Sequence, residues 1–224
     1  MTSPLARIGF LWPADGLTED EYLAFLPPGV SWLTARYDAG TATEALTEEV
    51  LAAYADPEVM RRAARGLRAC RPDLVACGDH AASFILGAEG EAAMAEAVRE
   101  TLGCPVVTMA AACRAALEAL GARRIALVSP YAEAVTSALE AYLGAAGIDV
   151  AAVHVAGAHS EEEIGPRDPA AWRRLCLDAL GACRERPEAL LLAGGGVRFA
   201  AAITAFETEA GLPVVTGPGA LVRA

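Results

Sequence analysis

The chain has 224 residues, 54% of them hydrophobic, and a formal net charge of -11, enough apolar material to bury one large core or two small coupled ones. All 18 basic residues are arginine, so a lysine Schiff base and the lysine of a phosphate-binding loop are both excluded. No basic stripe offsets the acidity, which argues against nucleic acid as a partner, and no apolar run approaches the roughly 20 residues that a membrane-spanning helix needs.

Short runs rich in Val, Ile and Leu alternate with longer alanine-rich segments of helical period, the pattern of a parallel sheet with crossover helices. In chain order the pattern predicts strands at Arg7–Leu11 and Ser31–Ala35, a helix over Glu44–Cys70, a strand at Asp73–Cys77, a helix over Gly90–Leu102, a strand at Val106–Met109 and a helix over Ala111–Leu120. A second series follows: a strand at Ile125–Val128, a helix over Ala132–Ala146, a strand at Val150–Val155, a helix over Pro169–Arg186, a strand at Ala189–Ala193, a helix over Phe199–Ala210 and a strand at Val214–Thr216. The N-terminus shows no basic stretch followed by an apolar run, so no secretory signal is expected and the protein is expected in the cytoplasm. In that reducing setting Cys70, Cys77, Cys104, Cys113, Cys176 and Cys183, which form no CxxC pair, are expected to be buried thiols, with no metal site.

The two series are copies of one another. Arg7-Ile-Gly-Phe-Leu-Trp-Pro13 recurs 117 residues on as Arg124-Ile-Ala-Leu-Val-Ser-Pro130. Pro72-Asp-Leu-Val-Ala-Cys-Gly78 recurs 115 residues on as Pro187-Glu-Ala-Leu-Leu-Leu-Ala193, which also pairs Phe84 with Phe199, and Gly103-Cys-Pro-Val-Val-Thr108 recurs 108 residues on as Gly211-Leu-Pro-Val-Val-Thr216. Three matches in one order at nearly one offset define a duplicated unit. The expected fold class is therefore α/β, with two pseudo-symmetric Rossmann-like lobes, each a mainly parallel sheet flanked by helices. The lobes are expected over residues 1–121 and 122–224, as one compact unit within which helices can be exchanged. Parallel α/β sheets bind ligands beyond the carboxyl ends of their strands. The turns at Pro13–Gly16, Gly78–Ser83, Ser129–Glu133 and Gly194–Arg198 are then expected around one cleft between the lobes.

The segment Ala119-Leu-Gly-Ala-Arg-Arg-Ile-Ala-Leu-Val-Ser-Pro-Tyr131, supported by Arg71-Pro-Asp73, by Ser83-Phe84 ahead of Gly87 and by Pro213-Val-Val215, resembles the aspartate/glutamate racemase superfamily, in the branch of maleate isomerase, arylmalonate decarboxylase and the ectoine-utilisation proteins. The resemblance runs over essentially the whole chain. It implies cofactor-independent chemistry at the carbon next to a carboxylate, and self-association into a homo-oligomer. In that superfamily each lobe brings one cysteine to the cleft. Here Asp79 stands at the first cysteine position and Gly194 at the second, so the usual mechanism does not carry over. Cys77, two residues before Asp79 and within the expected strand, is no evident substitute. The sequence ends soon after Pro213-Val-Val-Thr-Gly-Pro-Gly219, short of the last helix that the resemblance leads one to expect.

The candidate catalytic residues are Asp79, His80 and Tyr131. Asp79 either caps a helix, worth about 1 kcal/mol, or takes over proton transfer from the missing thiol without its soft nucleophilicity. His80 can serve as base, acid or carboxylate donor, and the Tyr131 phenol can hydrogen-bond a substrate carboxylate or a developing enolate or simply pack under a loop. The candidate substrate-binding residues are Pro13, Ala81, Ser83, Ser129, Gly194, Gly195, Gly196 and Arg198. Three successive glycines suit close approach of backbone to ligand or a tight turn, Arg198 is either a cation for an anionic ligand or a solvated helix-start residue, and Ser129, Pro13 and Trp12 shape the walls. His154 and His159, in and just after a strand, read as structural. An ionised Asp79 about 4 Å from a substrate carboxylate repels it by roughly 1 to 4 kcal/mol. Either Asp79 is held protonated by burial, or the ligand departs from a dicarboxylate and sets an amine opposite Asp79. The expected function is a cofactor-independent isomerase, racemase or decarboxylase-type enzyme acting on a small carboxylate. The alternative is a catalytically silent member that binds a small metabolite; a hydrolase using Asp79 or a His-activated water has no motif behind it.

Overall fold

The computed structural model describes residues 6–43 and 45–224, and in it each half of the chain builds the same four-stranded parallel sheet. The first half runs β1 (Ala6–Pro13), α1 (Glu19–Leu23), β2 (Val30–Tyr37), α2 (Glu48–Tyr54), α3 (Pro57–Arg65), β3 (Leu74–Cys77), α4 (His80–Ile85), α5 (Gly87–Leu102), β4 (Val106–Thr108) and α6 (Met109–Ala119). The second runs β5 (Arg124–Tyr131), α7 (Glu133–Ala145), β6 (Asp149–Ala158), α8 (Glu161–Ile164), α9 (Pro169–Ala182), β7 (Ala189–Leu192), α10 (Ile203–Ala210), β8 (Val214–Thr216) and α11 (Gly217–Arg223). Strand orders are β2-β1-β3-β4 and β6-β5-β7-β8, one topology used twice.

The sequence repeat is reproduced bond for bond in the backbone. Gly78 N–H donates to Leu11 C=O at 2.9 Å, and its counterpart Ala193 N–H donates to Val128 C=O at 2.9 Å. Asp73 N–H reaches Arg7 C=O as Glu188 N–H reaches Arg124 C=O, both at 2.8 Å. The carboxylates of Asp73 and Glu188 in turn accept the Arg7 and Arg124 amides at 2.8 and 2.9 Å. These bonds tie β1 to β3, and β5 to β7, at both ends, so their carboxyl ends stay level with one another.

The strands fall where alternation and apolar runs place them; the helices depart from expectation at their ends. The start expected at Glu44 lies outside the described residues. The remainder of that expected helix is broken, because Asp56 accepts the Glu58 and Val59 amides and Pro57 opens α3, a cap and proline pair that cannot continue α2. The 3-10 turn Arg68–Cys70 then ends on Arg71 at φ 49. Met109 belongs to α6, since Thr108 accepts the Ala111 amide and caps it. The helix expected to reach Arg186 stops at Ala182, where Cys183 turns extended, and the one expected from Phe199 begins with a 3-10 turn at Ala200–Ala202. A further helix, α11, forms after Pro213-Val-Val-Thr and packs on α6, its counterpart in the repeat.

One face of the first sheet, with Phe10, Trp12 and Ala76, shares a core with Leu127, Val128, Leu191 and Phe199 of the second. The alternate residues Leu11, Val75 and Cys77 pack instead with Met60, Met94 and Val98 from α3 and α5, as the period of two along a strand requires. No helix among the described residues is long and apolar enough to cross a membrane.

Candidate active site

The ends of β1, β3 and β5 and the glycine turn after β7 converge on a small cavity with about 20 Å³ open to the centre of a water molecule, room for about one water. Trp12, Pro13, Asp15 and Gly16 line it from β1, Gly78 to Ala81 from β3, Tyr131 from β5, Gly195 from the turn after β7, and Glu161 from α8. Leu46, Val50, Leu51 and Tyr54 cover it, and the cover is pinned to the opposite lobe where the Leu46 N–H donates to His159 C=O at 2.8 Å.

Asp79 is both things that its position allows. One oxygen accepts the Ala82 amide at 3.0 Å and caps α4, while the residue stays on the cavity wall. Burial, reinforced by nearby Asp15 and opposed by the Ala82 hydrogen bond, lifts its carboxyl to about 7. His80 opens α4, fully buried, with its ring edge-on to Phe84 at 5.2 Å. Its Nδ1 accepts the Gly194 N–H at 2.9 Å, and burial pushes its pKa down to about 3. A neutral imidazole whose Nδ1 is an acceptor carries its proton on Nε2. That Nε2 is buried without a partner, so His80 presents a donor and no free base.

Tyr131, 2% exposed, ends β5 edge-on to Phe84 at 6.0 Å. Burial and the Glu161 and Asp79 charges hold its phenol well above 10, against a smaller opposing effect of the Gly195 amide. Glu161 opens α8, and burial, then Asp15 and Asp79, raise its carboxyl to about 8. Its Oε2 is buried without a hydrogen-bond partner. The cavity thus joins a carboxyl from each lobe, both pushed toward neutrality by the same low-dielectric surroundings.

Gly194, at φ +104, and Gly195, against backbone, are required as glycine, whereas Gly196 abuts only the flexible end of Glu161. A Cβ on Gly195 would lie 2.7 Å from Gly78 C=O, and one on Gly196 would lie 2.3 Å from Glu161 Oε2. Gly78 and Gly195 meet across the lobes, and the Tyr22 hydroxyl sits between their carbonyls, 3.0 Å from Gly195 O and 3.4 Å from Gly78 O.

Of the residues singled out in the sequence, Asp79, His80, Tyr131, Pro13, Ala81 and Gly195 line the cavity, and so does Trp12. Ser83, Ser129, Gly194, Gly196 and Arg198 do not, and each has a physical reason. The Ser83 hydroxyl donates to His80 C=O at 2.7 Å and accepts the Ala110 N–H at 3.0 Å. Ser129 shares a 2.7 Å hydrogen bond with Thr136. The Gly194 amide is spent on His80, at φ +104 with Pro130 packed where a Cβ would go, and Gly196 backs Glu161. Arg198 faces outward, paired with Asp20 at 2.5 and 2.9 Å. Sequence reasoning missed Asp15, Tyr22, Tyr54 and Glu161. Glu161 heads a run of three glutamates that reads as a solvated helix start, and no local signal separates it from its neighbours.

Two matched parallel sheets with a small acid-lined cavity enclosed at their carboxyl ends define the two-lobed α/β class of small-ligand enzymes. Within it the chain belongs to the arylmalonate decarboxylase family, whose pattern matches residues 13–222. It is 30% identical over 206 residues to the arylmalonate decarboxylase of Bordetella bronchiseptica, covering 92% of this chain and 80% of that one. A liganded arylmalonate decarboxylase carrying one glycine-to-cysteine and one cysteine-to-serine substitution superposes with a TM-score of 0.85 at 30% identity, over 96% of this chain and 88% of that one. A maleate isomerase of Pseudomonas putida S16, determined with maleate, shares the fold with a TM-score of 0.86 at 23% identity, over 96% of this chain and 88% of that one.

Proposed function

We propose that the protein is a cofactor-independent enzyme of the decarboxylase, racemase or isomerase type, acting at the carbon next to the carboxylate of a small organic acid or amino-acid derivative. The observation that carries this reading is the pairing of Asp79 and Glu161, one from each lobe, on a cavity too small to hold bulk water. With carboxyls raised to about 7 and about 8, one can accept a proton from carbon while the other still holds one to deliver. His80 Nε2–H and the Tyr131 phenol supply fixed donors for the substrate carboxylate and for the charge that develops on it. Gly195 lets the backbone come close, and Trp12, Pro13 and Ala81 form the walls. Ser83 and Gly194 position His80, Gly196 leaves room for Glu161, and Ser129 and Arg198 brace the two turns from outside. Leu46, Val50 and Leu51 exclude water, which strengthens every charge interaction inside. The reading also takes the lobes to divide between residues 121 and 122, where the second copy of the repeat begins, and the protein to work in the cytoplasm as a homo-oligomer.

A silent metabolite-binding member is the second reading, favoured by the lack of cysteine at both family positions. The two separate in deuterated water with a panel of amino acids, malonates and maleate, followed by NMR for α-proton exchange and by CO2 release. The wild type should exchange or decarboxylate at least one of them. Asp79→Asn, which keeps the helix cap, should lose about 10²–10⁴-fold of that rate. Thermal stabilisation by a ligand with no turnover in the wild type would establish the silent binder instead.

A further inference from the structure

Donors and acceptors are divided unevenly on the cavity wall. The buried N–H donors without a partner on lining residues are Trp12 Nε1 and His80 Nε2, and with the Tyr131 hydroxyl they match the needs of a single carboxylate. Facing them are acceptors only: the Asp79 oxygen not used in the cap, Glu161 with its buried, unpartnered Oε2, and Asp15. Other titratable groups on the wall or packed against it are Tyr22 from α1, Tyr37 from β2, Tyr54 from α2, Cys77 from β3 and Cys113 from α6, none of which brings a positive charge. No cation lines the cavity among the described residues. Arg198 is turned outward onto Asp20. Arg36 stands in the outer vestibule, which shares Asp15, Gly16 and Glu161 with the cavity. There it is held by Ala14 C=O at 3.1 Å, Gly16 C=O at 2.8 Å and Glu19 at 3.1 Å.

Resting on the proposed function, we infer that the cavity takes a monocarboxylate bearing an amine on the neighbouring carbon and an apolar side group, and turns away dicarboxylates. The carboxylate goes to the Trp12, His80 and Tyr131 donors. The amine goes to Glu161, whose buried Oε2 has no donor, and to the Asp79 oxygen outside the Ala82 cap. The side group goes under Leu46, Val50 and Leu51, which have to lift to admit it because the cavity as it stands has room for about one water. A second carboxylate in place of the amine would lie against two or three carboxyls in a low-dielectric site, and repulsion there weakens binding tenfold or more.

Phenylglycine and phenylmalonate share the phenyl group and differ in carrying an ammonium or a second carboxylate, so they isolate this choice. With the full chain at pH 8, phenylglycine should raise the melting temperature and exchange its α-proton for deuterium, while phenylmalonate binds at least tenfold more weakly. Asp79→Asn combined with Glu161→Gln should close or invert that gap. In the wild type, which needs no altered residue, phenylmalonate should gain affinity as the pH falls from 8 to 6 and the two carboxyls take up protons. Phenylmalonate bound as tightly as phenylglycine at pH 8, with no response to acid or to the double substitution, overturns the inference; CO2 release from it would then leave the proposed chemistry intact. Phenylglycine bound without proton exchange supports the charge preference and removes the catalytic reading. Failure of phenylglycine to bind at millimolar concentration overturns the inference as well.

Discussion

At the residue scale, buried His80 and the half-buried carboxyls of Asp79 and Glu161 make stability depend on pH in opposite directions. Asp79 and Glu161 keep their protons up to about 7 and about 8 in the folded chain, whereas in an unfolded chain such carboxyls lose them near about 4. Between those limits the folded state binds more protons, so stability is full in acid and is lost as pH rises through this window. His80 acts on the other side. An unfolded histidine takes up a proton below about 6.5, the folded one only at about 3, so its burial removes stability as pH falls between those values. A difference of one proton is worth about 1.4 kcal/mol per pH unit, or roughly 3–5 °C for a chain of this size. Melting curves recorded across the range should show Glu161→Gln flattening the decline between about pH 6 and 8 and His80→Asn flattening the decline below about pH 6. A Glu161→Gln profile parallel to the wild type would show that this carboxyl is not held neutral by burial. Asp79 and His80 were legible because a strand, a glycine and a helix start bracket them in the sequence. Their protonation was not, since it follows from what surrounds them in three dimensions.

At the scale of elements, the chain shows which segments carry local instructions and which are held by distant ones. The equivalent helices α6 and α11 start at side-chain caps, Thr108 and Thr216, while α5, α7 and α10 start without one. By contrast α1 and α8, at 5 and 4 residues, are too short to show a period and too short to be stable alone. α1 is tied by tertiary bonds, with Glu21 accepting the Phe199 and Ala200 amides at 3.0 and 2.9 Å. A similar long-range tie joins α5, α6 and α7. Buried Glu91 accepts the Thr108 hydroxyl and, at 2.9 Å, the Ala111 amide on one oxygen, and the Tyr142 hydroxyl at 2.7 Å on the other. Tyr142→Phe leaves a buried carboxyl oxygen without its donor and should cost about 1–3 kcal/mol in urea unfolding, with turnover per folded molecule unchanged because none of these residues lines the cavity. Wild-type stability in this variant would mean that water replaces the phenol there.

At the scale of the molecule, the two lobes share one core in which Phe10 and Trp12 meet Leu127, Leu191 and Phe199. Neither lobe can open without exposing apolar surface of the other, so unfolding should be a single cooperative event. Tryptophan fluorescence, reporting from Trp12 and Trp32 in the first lobe and Trp172 in the second, should coincide with far-UV circular dichroism through the transition. Two separated midpoints would show that the lobes are independent.

The sequence by itself determined the eight strands, the duplication and the ring of turns, because apolar period, proline and glycine placement and helix caps act over a few residues. Only the tertiary structure decided which side chains on those turns look inward. Ser83 and His80 occupy one turn, yet one hydroxyl is consumed behind the helix and the other side chain reaches the cavity. Glu161 arrives there from the opposite lobe out of a run of identical glutamates. Direction and burial depend on packing between residues more than a hundred positions apart, and no local pattern records them.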